Sequence, residues 1–211
     1  MTETSTSGII TAAADIIAGA FNALPKRVCN QHKFSDYADY LHENLPAQAE
    51  LDLQREKPLN PAPLVSVAIA CSGASRAAVR STLEALGKQT YANFEVCLVS
   101  ELAQAGLKDY EGIPKFRLVL FNGTAHEQLK AAEKMLNGAY FLQLLPGDLP
   151  APDALHMLVL QTHSNPEAEV VFADEDSVID GIRQNPIFKP DYGRDTLRSF
   201  NSIGRPMLVS K

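Results

Sequence analysis

Two apolar runs in the second half of the sequence end in carboxylates. Tyr140–Leu145 reads as a buried strand that breaks sharply at Pro146-Gly147-Asp148, and Ala168–Ala173 reads as a second strand running into Asp174-Glu175-Asp176. An open α/β sheet places its ligand site beyond the carboxyl ends of its strands, so both groups stand where binding or catalysis would be done. Each also has a plainer reading. Asp148 fits a turn residue that caps the helix behind it. The three consecutive acids fit a solvated turn; gathered into a site, at least one would be perturbed by its neighbours.

Other residues able to do chemistry are scattered. His32, His42, His126, His156 and His163 show no ligand spacing with cysteines or acids, and Cys29, Cys71 and Cys97 match no zinc pattern. Cys71 and Cys97 fall in predicted strands and read as buried thiols in a reducing compartment.

The bulk numbers narrow the class. The chain has 211 residues, 45% of them hydrophobic and 21% charged, as in an ordinary globular protein. Its 25 acidic and 19 basic residues give a net charge of −6 without a basic run, which argues against nucleic acid as a partner. Gly8–Leu24 is the most apolar segment, but it is short, contains Asp15 and lacks the basic start of a signal peptide. It reads as an amphipathic helix that docks on this domain or on a partner protein, with peripheral membrane contact as the alternative. The expected compartment is the cytoplasm.

The elements that must position these residues can be read in order. Thr11–Ala23 and Ser35–Leu45 predict helices, the second N-capped by Ser35 and packed through Tyr37, Tyr40, Leu41 and Leu45. Pro46–Pro63 reads as a linker, because Pro46, Pro58, Pro61 and Pro63 oppose regular structure. Leu64–Cys71 is a strand apolar on both faces, followed by a helix from Arg76 to about Gly87, a turn, and a strand over Phe94–Ser100. Phe116–Phe121 is a third strand, and a helix from Asn122 leads to Gly138. The helix after Asp148 opens at Ala151-Pro152-Asp153, with proline in its first turn. Beyond Asp176 the sequence predicts a tight turn at Ile179–Ile182, a loop over Asn185–Tyr192, a short helix over Asp195–Phe200 and a strand from Met207. Alternation of strands and helices predicts a mostly parallel sheet, with the loops after Cys71, Ser100 and Leu145 on one edge.

Several of these segments resemble glycosyltransferase family 2 enzymes of the GT-A fold. Gln89-Thr90-Tyr91-Ala92-Asn93-Phe94-Glu95 resembles the family's Q-T-Y-x-N-F-E turn, and Gly138–Leu155 resembles its G-E-Y-(apolar)-D-x-D-D-x-x-x-P-x-A-L segment. FADED, FKPDY and FNSIG together resemble the SDEDK, FKPDW and NYIG run of a subgroup acting on bacterial surface polysaccharides. The resemblance covers about Ser35 to Lys211, with the motifs in order. It implies inverting transfer of a sugar from a nucleotide-sugar donor to a glycan or lipid-linked acceptor, with a carboxylate as base and a divalent cation, Mn or Mg, on the leaving diphosphate.

Carried residue by residue, the resemblance assigns Cys71, Ser72, Glu101, Lys130 and Asp148 to the donor. It assigns Asp174, Glu175, Asp176, Lys189 and Asp191 to the acceptor or its loop. Asp148 is the one candidate metal ligand, because Leu145 and Gly147 stand where the family has the aspartates of D-x-D. Lys130 could partly replace a missing metal, and Lys189 could meet a diphosphate or be solvated. No residue matches the catalytic base, whose region the family places beyond Lys211.

The sequence therefore predicts an α/β protein: a GT-A-like, mostly parallel sheet flanked by helices. An N-terminal helical extension and linker would span residues 1–62, and the sheet domain, incomplete at its C-terminus, residues 63–211. The expected function is that of a glycosyltransferase-like protein of bacterial cell-surface polysaccharide synthesis, with weak or lost activity. The alternative is a non-catalytic module of the same fold that docks to a partner glycosyltransferase or a glycan through the N-terminal helices.

Overall fold

The computed structural model describes residues 37–100 and 115–211. Its centre is β1, Val65–Ala70, which is buried at every position. It lies parallel to β2 (Phe94–Ser100) on one side and to β4 (Tyr140–Leu144) on the other. β3 (Phe116–Leu120) adds in parallel beyond β2. Beyond β4 comes β8 (Met207–Ser210), antiparallel to β4, and then β5 (Val170–Phe172), antiparallel to β8. The six-stranded order is β3-β2-β1-β4-β8-β5.

Buried strands of this kind must be apolar on both faces, and the side chains of β1 divide with period two. Val65, Val67 and Ile69 join Val79, Leu83 and Leu86 of α3 (Arg76–Gly87) and Leu155, Leu158 and Val159 of α5 (Ala154–Ser164). Ala68 faces the other way, with Cys97, Val99, and Ala132 and Leu136 from α4 (Ala125–Glu133) and the turn after it. α3 opens on Ser75, whose Oγ accepts the Ala78 N–H; α4 opens on a capping box between Thr124 and Glu127.

The expected alternation of strands and helices from Leu64 to Ala173 is present among the described residues, and it places the carboxyl ends of β1, β2 and β4 at one edge. Four local expectations need correction. Pro46–Pro63 is not a bare linker: α2 spans Gln48–Glu56. Its prolines lie outside the segment QAELDLQRE, so they bound a helix instead of forbidding it. Pro152 precedes α5, whose N-cap is Asp153, without a side-chain capping bond. The acids 174–176 are not one turn, because Glu175 and Asp176 already belong to β6 (Glu175–Ile179), which pairs with β7 (Ile182–Ile187). The loop expected from Asn185 is therefore partly strand; Asn185 takes a φ of 55° where β7 shifts register against β6.

The tight turn at Asp180-Gly181 is as expected, with φ values of 52° and 78° suited to a two-residue hairpin. α1 (Tyr37–Asn44) packs on this hairpin. Tyr37 donates to Asp176 Oδ2 at 2.5 Å, and Tyr40 meets Phe188 edge-on at 5.2 Å. Of the expected stripe only Tyr37 is buried; Tyr40 and Leu45 are exposed. The short helix α6 spans Arg194–Ser199. The Ser35 cap and the helix over Thr11–Ala23 lie outside the described residues. Among the described residues no helix is long and apolar enough to cross a membrane.

Candidate active site

Strands β1, β2 and β3 step outward in one direction, and α4 then carries the chain back to place β4 on the far side of β1. The crevice between the carboxyl ends of β1 and β4 is thus the point where strand order reverses, the usual ligand position in such sheets. Cys71 and Ser72 follow β1 there, and Asp148 follows β4.

The turn after β4 is built for this place. Pro146 and Gly147 are its central residues, Gly147 has a φ of 99°, and the Asp148 N–H donates to Leu145 O at 2.9 Å. Only glycine adopts that backbone easily at the third position. α3 holds the turn: the Gly147 N–H is shared between Thr82 Oγ1 (2.9 Å) and Ala78 O (3.0 Å). On the β1 side the Ser72 N–H donates to Gln128 Oε1 at 3.0 Å, and Gln128 donates in turn to Phe121 O.

Asp148 is committed to protein partners. Its Oδ2 accepts the Leu145 N–H at 2.8 Å and Arg205 Nε at 2.9 Å, and its Oδ1 accepts Arg205 Nη2 at 3.3 Å. Arg205 comes from the segment before β8. It is placed by Asn201, whose Oδ1 accepts the Ile203 and Gly204 N–H groups, and by Lys189, whose Nζ donates to Arg205 O at 2.7 Å.

The other expected site residues fall into separate surroundings. The Lys189 side chain is only 1% exposed; its ammonium also donates to Ala173 O and lies 3.8 Å from Glu175. It is therefore neither a solvated loop lysine nor directed outward. Asp174 follows β5 and accepts the Lys189 N–H at 2.7 Å. Asp176 faces α1 and β7, bound by Tyr37 and by Arg183 Nε at 2.6 Å. Asp191 is exposed. Lys130 is half-buried in the last turn of α4. Glu101 lies outside the described residues. Cys71 is fully buried, and burial pushes its thiol up to about 12, so a thiolate at this edge is disfavoured.

A divalent cation needs several oxygen ligands converging on one point. Both oxygens of Asp148 are taken by N–H donors, and among the described residues no three His, Cys, Asp or Glu side chains gather as a metal site. These residues do not fit the expected metal. Arg205, Thr82 and Gln128 were not foreseen. Arg205 lies 57 residues from Asp148, and nothing local to either marks the pairing.

No family model matches the chain. It is 33% identical over 150 residues to the uncharacterized protein y4gI of Sinorhizobium fredii, covering 67% of this chain and 16% of that one. It is 27% identical over 187 residues to the O-antigen biosynthesis protein RfbC of Myxococcus xanthus, covering 84% and 15%. The chain thus spans about a sixth of the length of these relatives. Among solved structures, residues 1–349 of S. aureus TarS match with a TM-score of 0.51 at 14% identity, over 70% of this chain and 46% of that one. The mannosyltransferase PcManGT from Pyrobaculum calidifontis, solved with GDP-Man and Mn2+, gives 0.44 at 18% identity, over 81% and 48%. The fold is of the GT-A type, and the chain is similar to glycosyltransferases of that fold.

Proposed function

We propose that the chain is a nucleotide-sugar-binding part of a glycosyltransferase for bacterial cell-surface polysaccharide, with weak or no transfer activity of its own. The observation that carries this reading is the sheet edge at the reversal of strand order, flanked by Ser72 and the Leu145–Asp148 turn, in a GT-A-type sheet. The likeness to an O-antigen biosynthesis protein supports the pathway class. The donor would lie across the ends of β1 and β4, and the acceptor would approach from the side of Asp174 and β6. Asp148, the one acid at the β4 turn, has both oxygens engaged by N–H donors, which supports weak activity.

The test is calorimetric titration of the purified, folded chain with UDP, GDP and dTDP, each with and without Mn2+. Saturable binding of at least one nucleotide is expected. Failure of all three would favour the second reading, a non-catalytic module that docks to a partner. That reading draws support from the exposed apolar side chains of the β6–β7 hairpin, with Val178, Ile179 and Ile182 at its tip.

A further inference from the structure

We infer that Arg205, held on Asp148, is the cationic group that meets the diphosphate of a nucleotide bound at this edge, in the role a divalent metal would otherwise fill. The inference rests on the nucleotide-binding reading above and names the group that confers it.

The argument begins with what Asp148 has lost as a ligand. A cation entering there would have to displace a two-point guanidinium contact and would then face that same positive charge. What the edge offers instead is the guanidinium itself. Arginine keeps its charge at any working pH and presents several N–H donors in a plane, a geometry matched to phosphate oxygens. The Arg205 side chain, bonded to Asp148, is 30% exposed.

The surroundings fix it in advance. Lys189 holds its carbonyl, Asn201 holds the Gly204 N–H just before it, and Asp148 orients the guanidinium. Asp148 is itself locked in a turn that α3 holds through Thr82 and Ala78. A charge fixed before the ligand arrives stabilises an anion without further reorganisation. The two lysines considered from the sequence are placed otherwise. The Lys189 ammonium is turned inward onto carbonyl oxygens. Lys130 lies five residues into α4 from Ala125, about 7.5 Å along the helix axis from its start at this edge.

The test compares the chain with Arg205→Gln and Arg205→Lys, titrating each with UDP, GDP, dTDP and uridine in EDTA and again in Mn2+. Circular dichroism establishes that each variant is folded. The expected result is equal affinity of the unaltered chain for its preferred diphosphate in EDTA and in Mn2+. Arg205→Gln should weaken that binding about tenfold or more, Arg205→Lys less, and uridine should be indifferent to both changes. Raising salt should weaken diphosphate binding in the unaltered chain more than in Arg205→Gln. Diphosphate binding that requires Mn2+, or that a folded Arg205→Gln retains in full, would overturn the role of Arg205 while leaving nucleotide binding intact. Absence of binding by the unaltered, folded chain would overturn both together. If Arg205→Gln does not fold, Arg205→Lys and the EDTA comparison decide: a need for Mn2+ rejects the inference, and so does an affinity of Arg205→Lys equal to that of the unaltered chain.

Discussion

Glu95 shows what a buried carboxylate does at the opposite end of the sheet. Its Oε1 accepts the Asn137 N–H at 2.5 Å and the Ser66 hydroxyl at 2.7 Å, and Arg117 lies 3.6 Å from Oε2. Ser66 Oγ also accepts the Gly138 N–H. A Cβ at Gly138 would stand 2.5 Å from that oxygen and 2.7 Å from Leu64 O, so only glycine fits there. Burial by itself pushes the Glu95 carboxyl up, but the Asn137 and Ser66 bonds and the Arg117 charge outweigh it and hold it below the usual carboxylate range. A depressed native value means that the unfolded chain binds the proton more readily. The contribution is therefore present above the ordinary carboxylate value and is lost as pH falls through the native one. Glu95→Gln is expected to cost about 1–3 kcal/mol at neutral pH in denaturant unfolding. The gap to the unaltered chain should narrow as the medium is acidified below about pH 4. A gap that stays constant down to pH 3 would contradict the assignment.

At the scale of elements, the turn that resembles the family's Q-T-Y-x-N-F-E proves to be joinery. Gln89 bonds Ala151 O and the Leu155 N–H, Thr90 bonds Gln54, Tyr91 bonds Pro63 O, and Asn93 bonds Ala62 O. Together they fasten α2, α5 and the lead into β1 around one turn, which explains how a motif can announce a fold while saying little about catalysis. The central strands were legible because burial on both faces demands continuous apolar runs, and VSVAIA and FEVCLVS have no competing reading. Other elements were not. α2 was hidden by the prolines that bound it, and β6 by the acids that open it. The Arg205–Asp148 contact was hidden because an ion pair closed by tertiary folding leaves no periodic trace. The docking of α1 on the β6–β7 hairpin belongs to the same class. Tyr37→Phe removes the hydroxyl bonded to Asp176 and is expected to cost about 1 kcal/mol. Hydrogen exchange should report it as faster exchange in residues 175–187, with β1 and β2 unchanged.

For the molecule as a whole, stability depends on β8, which enters the sheet between two strands that precede it in sequence. Leu208 is 1% exposed and lies between Leu142 of β4 and Val171 of β5. Leu208→Ala should cost about 2–5 kcal/mol, read as an earlier midpoint in a single cooperative denaturant transition. The same strand frames the candidate site, because Arg205 is carried into place by the segment that feeds it.

The position of β8 between β4 and β5 also sets an order of events at the ribosome. When β5 is synthesised, the strand it will pair with has not yet been made, and the side of β4 that faces away from β1 is bare. About 35 further residues must be polymerised before Met207–Ser210 can enter the gap and join the two. Until then, two strand edges stand open to any other extended peptide, and a nascent chain stalled in this interval is a natural substrate for a chaperone.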